Sequence, residues 1–315
     1  MIHILPQLPC KNRYTEDWIT IWSRELRNLD VQFKVLGGKK PVVVTKYFTD
    51  PLKALGYESE QISVLAEANP ERIFCLDIEF PGLISSAIQA LRLVNPDLKA
   101  HGYLHAGCWC NGDIWGETKG RQHLDRMIFD TFDKIFVATN YHKKKIEKYF
   151  NQVFDNIEVV GFPFYKKDVL TYAKPLPFEK KDSILISGRM EQSNQDFVSK
   201  IKENFKDEKV IAVNTNSRRE YYELLNRGRV VISLKTEETF GIGQLEAYVL
   251  GGIPLCPCAY AYPEVIGDER LLYSSEKDLL EKLGYLVELK ENLFQIDVEK
   301  YEETIPVCLY SCFEE

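Results

Sequence analysis

The stretch Glu237–Pro254, EETFGIGQLEAYVLGGIP, decides the fold. Just upstream, Val230-Val231-Ile232-Ser233-Leu234 is a short β-branched run, the pattern of a buried strand. From Gln244 to Leu250 the pattern is helical, with Leu245, Val249 and Leu250 on one face and Gly251-Gly252 as a helix stop. Ile253-Pro254-Leu255-Cys256 then opens another strand. The local order is therefore strand, glycine-containing turn, helix, strand. Two acids lie eight residues apart, Glu238 at the strand's C-terminal end and Glu246 near the helix start.

That order has chemical consequences. In open α/β sheets, ligands sit in the crevice beyond the carboxyl ends of the strands. A helix N-terminus there offers N–H groups and partial positive charge, which suits phosphate. Gly241 and Gly243 let the backbone come close to a bulky anion. A carboxylate only accepts hydrogen bonds, so one beside a phosphate cradle needs donors, and sugar hydroxyls supply them at roughly 1.5–3 kcal/mol each. The residues alone admit two readings: a site for a phosphate flanked by sugar hydroxyls, or an acidic loop followed by a capped core helix.

Working outward, 315 residues fit two domains of ordinary size. A content of 45% hydrophobic and 28% charged residues is globular. A net charge of −7 gives no global attraction to nucleic acid or anionic membrane, although local basic patches are compatible with it. MIHILPQLPC lacks the basic start and apolar core of a signal peptide, and no apolar run reaches membrane-spanning length. With eight cysteines, a cytoplasmic protein with reduced thiols is the simplest account. The pairs Cys108/Cys110 and Cys256/Cys258 lack the usual spacing of zinc ligands, so buried thiols are expected and no metal site.

Along the chain, strands alternate with helices. Expected strands include Ile2–Leu8, Phe33–Leu36, Arg72–Leu76, Ala100–Leu104, Lys134–Ala138 and Ile157–Val160, with a further apolar run at Pro41–Thr45. Between them come helices at Thr15–Leu29, capped by Thr15, and at Gln61–Ala68, Ser85–Val94, Arg121–Phe132 and Tyr141–Phe150. From Gly161 to Asp182 prolines and lysines replace the periodicity. The pattern restarts with the strand Ser183–Ser187 and runs through the opening stretch to a helix at Glu276–Leu283. The expectation is α/β: two Rossmann-like, doubly wound domains with ligand between them. The first spans 1–163, a linker 164–182, and the second 183–296, with a C-terminal segment, 297–315, able to pack back on the first.

Glu238-Thr239-Phe240-Gly241, Leu245-Glu246-Ala247 and Gly251-Gly252-Ile253-Pro254 together resemble the E-x7-E region of retaining glycosyltransferases with the two-domain GT-B fold, the glycogen synthase-like group 4 families. Tyr262-Pro263-Glu264-Val265-Ile266-Gly267-Asp268 is similar to their P-E-V-x-G-D segment, and Gly188-Arg189-Met190 to their G-R-L turn. The specific match covers about Ser183 to Leu283. The N-terminal half matches in layout, with Phe136 to Lys143 resembling a helix approach found there.

The resemblance implies a nucleotide diphosphate sugar, UDP- or another NDP-sugar, as donor, and no cofactor or metal. It assigns donor binding to Gly188, Arg189, Asn194, Glu238, Phe240, Gly241, Ile242, Gly243 and Glu246, and catalysis to Arg189, Glu238 and His105. Glu246 would bind ribose hydroxyls, Glu238 would face the transferred sugar, and Arg189 would stabilise the leaving diphosphate. His105 resembles a histidine placed near the donor sugar. The family's lysine five residues after the arginine is Asn194 here, so Arg189 acts alone or with a base such as Arg218 or Lys235. The family's Gly-rich loop after the first strand is replaced by Pro6–Tyr14.

The acceptor stays open: a small molecule, a glycan or a modified DNA base. Trp109, Trp115 and the Pro9–Tyr14 loop could stack on a sugar or base, and Asp113 and Asp77 are further cleft candidates. Lys143-Lys144-Lys145, Lys166-Lys167 and Lys180-Lys181 give local positive charge, which leaves room for a DNA-modifying transferase that flips its base. Two rivals stand beside these. Asp77-Ile78-Glu79 could hold a metal and a diphosphate in a one-domain GT-A enzyme, and a non-catalytic nucleotide-sugar binder would keep Glu246 and the glycines.

Overall fold

The computed structural model describes residues 1–44, 49–78, 81–110, 119–187, 195–215 and 217–313. Of the residues singled out above, Glu79, Asp113, Trp115, Gly188, Arg189, Met190 and Asn194 lie outside them. The chain forms two compact units, Met1–Gly161 with the chain from Thr304 on, and Phe162–Glu303.

The first unit runs β1 (Ile2–Leu5), α1 (Tyr14–Asn28), β2 (Phe33–Val35), α2 (Pro51–Ala68), β3 (Arg72–Cys75), α3 (Ile84–Arg92), β4 (Lys99–Tyr103), α4 (Arg121–Thr131), β5 (Lys134–Val137), α5 (Asn140–Phe150) and β6 (Ile157–Val159). Its sheet is six-stranded, in the order β2-β1-β3-β4-β5-β6, and every pairing is parallel. Both faces are covered, which is why β3 and β5 read as continuous apolar runs. Alternate residues serve opposite faces. Phe74 stacks on Phe136 and packs against Trp22 of α1. Ile73, Cys75, Ile135 and Val137 join Ile88, Ile128 and Phe129 in the other core layer.

Three local expectations are corrected. Helix α2 starts ten residues earlier than its apolar pattern suggested, because the Asp50 side chain accepts from Lys53 N at 3.1 Å and Pro51 is pre-set for a first helical position. Thr15 is inside α1 rather than its cap; its hydroxyl accepts from Cys10 N at 3.1 Å and ties down the preceding loop. The apolar run after Pro41 forms only an isolated bridge from Val42 to Cys10.

The second unit runs α6 (Lys166–Tyr172), β7 (Ser183–Ser187), α7 (Gln195–Asn204), β8 (Lys209–Ala212), α8 (Arg218–Leu225), β9 (Gly228–Ser233), α9 (Ile242–Val249), β10 (Ile253–Pro257), α10 (Tyr262–Ile266), β11 (Leu272–Tyr273) and α11 (Glu276–Val287). Its parallel sheet has the order β11-β10-β9-β7-β8. The stretch read as a linker contains α6, whose Tyr172 stacks on Tyr222 of α8 with ring centroids 4.6 Å apart. Lys181 in the same stretch is 1% exposed. Its ammonium donates to Asn226 O at 2.6 Å and Leu250 O at 2.7 Å, just past the ends of α8 and α9, where a cation suits the helix dipoles. Burial lowers its pKa to about 8.

The last helix, α12 (Thr304–Phe313), belongs to the first unit. Lys134 Nζ donates to Ser311 O and Oγ at 2.8 and 2.9 Å, and Thr304 Oγ1 donates to Val160 O at 3.1 Å. The chain is thus α/β, with two Rossmann-like domains. The one-domain GT-A alternative built on Asp77-Ile78-Glu79 fails on this point, because the C-terminal half has a complete Rossmann-like sheet of its own.

Candidate functional site

In the second unit the strand order reverses at β7, which lies between β8 and β9. Crevices at such reversals, beyond the carboxyl ends of the strands, are where open α/β sheets bind ligands. Ser187 pairs with Ser233, so β7 and β9 end level. From Ser187 the chain continues to Gly188-Arg189; from Ser233 it continues through Leu234 and Lys235 to Glu238 and α9.

The turn into α9 is built around Gly241. Its φ is +94°, and an added Cβ would stand 2.7 Å from the Tyr262 ring, so only glycine fits there. As N-cap, Gly241 has no side chain to satisfy the first amides of α9. Gly243, in the first turn, leaves room for a neighbour: a Cβ there would meet the Tyr221 hydroxyl at 3.1 Å. Gln244 ties the same turn to the sheet, its Nε2 donating to Ser187 Oγ at 2.6 Å.

Glu238 bends back on this turn. Its Oε1 accepts from Thr239 N at 3.1 Å and Phe240 N at 3.4 Å, and its Oε2 is ion-paired with the ammonium of Lys235. Of the two alternative bases considered from the sequence, Lys235 is therefore beside Glu238. Arg218 instead lies over the rings of Tyr172 and Tyr222, 5.2 and 5.8 Å from their centroids. Phe240 sends its ring into the core, stacked 5.1 Å from Phe162 and edge-on to Tyr301, which leaves its backbone as the part near the turn. Ile242 is half-buried at the helix start.

Glu246, one turn into α9, is 8% exposed. Tyr221 donates to its Oε2 at 2.8 Å and Tyr222 to its Oε1 at 2.5 Å. Burial, and then the Glu246 charge, push both phenol pKa values well above the usual range, so both hydroxyls stay protonated donors. The sequence reading missed this pair. The signal was the Tyr221-Tyr222 doublet in an amphipathic helix, whose polar tips need buried partners.

In the first unit the strand order reverses at β1, between β2 and β3. Asp77 follows β3 and His105 follows β4. Tyr14, opening α1, donates to Asp77 Oδ2 at 3.1 Å, and its ring lies 4.9 Å from both His105 and Trp18. The loop that replaces the Gly-rich turn therefore brings an aromatic to His105.

One other acceptor candidate falls away. Trp109 is a core residue, 3% exposed. It packs on Phe129 and Phe150 and donates to His142 Nε2 at 2.9 Å, so it has no face for a sugar or base. Of the lysine clusters, Lys181 is buried and Lys143 donates to Ile157 O, while Lys144, Lys166, Lys167 and Lys180 are exposed. Among the described residues no three His, Cys, Asp or Glu side chains come together as a metal would require, and no helix is long and apolar enough to cross a membrane. Cys108, Cys110 and Cys256 are buried thiols, while Cys258 is exposed.

No family model matches the chain. A tRNA-queuosine alpha-mannosyltransferase of Drosophila melanogaster is 39% identical over 66 residues, 21% of this chain and 17% of that protein's length. Solved structures match nearly end to end. A glycosyltransferase from Rickettsia africae superposes with a TM-score of 0.61 at 11% identity, covering 99% of this chain and 93% of that one. A sucrose-phosphate synthase from Thermosynechococcus elongatus gives 0.60 at 10%, covering 99% and 94%. The Escherichia coli structure described as trehalose-6-phosphate bound with UDP-2-fluoro glucose gives 0.63 at 9%, covering 99% and 95%. At these identities the likeness is one of fold, that of GT-B glycosyltransferases.

Proposed function

We propose that the chain transfers a sugar from a nucleoside diphosphate sugar to an acceptor hydroxyl, with retention at the anomeric carbon and without a metal. The observation that carries this is the reversal at β7: two strands ending level, an α9 N-terminus without a side-chain cap, and two glutamates one helix turn and a loop apart. Amides at Gly241 to Gly243 hold the diphosphate. Arg189, with Lys235 in support, meets the charge that grows on it as the glycosidic bond breaks. Glu246 accepts from ribose hydroxyls, and Glu238, oriented by its own turn and by Lys235, faces the transferred sugar. His105, after β4 of the first unit, is proposed as a further catalytic residue. The acceptor attacks from the face that the diphosphate leaves, and a phosphate oxygen takes its proton, so no protein nucleophile is needed.

The first unit is proposed to bind the acceptor through the cluster of Tyr14, Asp77 and His105. A second reading, a modified nucleoside in nucleic acid as acceptor, is favoured by the partial fly relative, a tRNA-queuosine alpha-mannosyltransferase. Against it stands the net charge of −7, with Lys143 and Lys181 bonded inside the chain.

The test is turnover. Incubation with UDP-glucose, GDP-mannose and related donors should release the nucleoside diphosphate slowly to water and faster with the right acceptor. The product's anomeric coupling in NMR should match the donor's. Donor binding without any release, across all acceptors, would convert the reading to that of a non-catalytic binder. An activity falling steeply with salt would select the nucleic-acid acceptor.

A further inference from the structure

We infer that Tyr221 and Tyr222 are positioning residues that set Glu246 as the reader of the donor's ribose, so that this chain selects ribonucleotides over deoxyribonucleotides through a tyrosine pair. The inference rests on the proposed donor site and deepens it.

Each carboxylate oxygen of Glu246 has its own tyrosine: Tyr221 on Oε2 at 2.8 Å and Tyr222 on Oε1 at 2.5 Å. Two separate donors fix both the position and the plane of a carboxylate, whereas one leaves it free to rotate. The tyrosines are themselves fixed. Tyr222 is 2% exposed, stacks on Tyr172 and accepts from Arg218 Nη2 at 3.2 Å. Arg218 in turn lies over both rings. The chain of contacts thus runs from α6 through Arg218 and Tyr222 to Glu246. Tyr221 reaches Glu246 past Gly243, where a Cβ would meet its hydroxyl at 3.1 Å. Gly243 therefore keeps open the path of the Tyr221 hydroxyl, a role distinct from bringing backbone to phosphate. A planar carboxylate held at both oxygens suits a vicinal diol, whose two hydroxyls present donors at a fixed separation.

The bland alternative is that the tyrosines only satisfy a nearly buried carboxylate. The two differ in what nucleotides feel. The experiment measures dissociation constants of UDP, GDP and ADP, each beside its 2′-deoxy and 3′-deoxy forms, by calorimetry on the full chain. Wild type, Tyr221→Phe and Tyr222→Phe are compared. Phenylalanine keeps the ring packing and removes only the hydroxyl. The wild type should prefer the ribonucleotide about 10–100-fold over a deoxy form. In the variants that ratio should fall to about threefold or less, with the deoxy affinities nearly unchanged. A ratio that survives in the folded variants, or is absent in the wild type, overturns the inference while leaving nucleotide binding intact. Binding of none of the three diphosphates would sink the donor-site reading, and this inference with it. Should Tyr222→Phe fail to fold, Tyr221→Phe, at a half-buried position, decides the matter.

Discussion

Arg189→Ala should lower kcat by about 10²–10³, a loss of about 2.7–4 kcal/mol of transition-state stabilisation. Breaking the bond between sugar and diphosphate moves negative charge onto the leaving oxygens, so a cation there contributes more in the transition state than in the bound donor. In the sequence Arg189 comes two residues after Ser187, the last residue of β7, which is level with Ser233. Asn194 supplies no charge and Arg218 lies over two tyrosine rings, so of the two alternative bases considered Lys235 is the one proposed to share the task. KM should change only a few-fold, and Arg189→Lys should recover part of the loss, since it restores charge without the bidentate fork. A variant with unchanged kcat and a raised KM would mean that Arg189 contributes only uniform binding.

The second large effect concerns stability against acid. His142 is fully buried and accepts a hydrogen bond from the Trp109 indole, which a protonated imidazole cannot do at that nitrogen. Burial, then the His105 and Lys145 charges, lower its pKa to about 3. A histidine with a depressed folded pKa contributes stability that is present above about pH 6.5, the unfolded value, and is lost as pH falls towards the folded value. The loss should reach about 2 kcal/mol by pH 5 and steepen at about 1.4 kcal/mol per pH unit below that. Denaturant titrations between pH 7 and pH 5 would read it. His142→Gln, which keeps an acceptor for Trp109 but does not titrate, should remove most of that slope. Glu58, pushed up to about 6 mainly by burial, works the other way, its contribution being lost as pH rises past 4.5 towards 6. It acts equally in both proteins, so their difference isolates His142. Equal slopes in the two would mean that His142 titrates normally.

The fold and the candidate site were legible in the sequence to different degrees, for physical reasons. Strand β7 was read to the residue, because a strand buried on both faces leaves a β-branched run bounded by polar residues. Helix α6 was hidden by the lysines and prolines around it, and at seven residues, with Val169 buried and Tyr172 stacked on Tyr222, it is too short to show an apolar stripe. Trp109 was read as a ligand-stacking residue because its neighbours are polar and glycine-rich. The structure gives it to the core, where His142, 33 residues away, satisfies its indole N–H. No local pattern announces a partner at that distance. Lys181 misled in the same way: its ammonium caps two helix ends that meet only after folding. At the candidate site, the strand–turn–helix order singled out Gly241 and Glu246, and the resemblance implied their roles. The tyrosines that hold Glu246 come from α8, before the strand, and enter only through the way α8 packs on α9.

The central claim is a nucleoside diphosphate site at the end of β7 and β9, and thermal unfolding of the chain with UDP, GDP or ADP tests it most directly. At about 100 times its Kd the right diphosphate should stabilise the folded chain by about 2.7 kcal/mol, raising Tm by roughly 5–10 °C, and Glu246→Ala should abolish most of that shift. No shift with any of the three at millimolar concentration, or a full shift in Glu246→Ala, would contradict it.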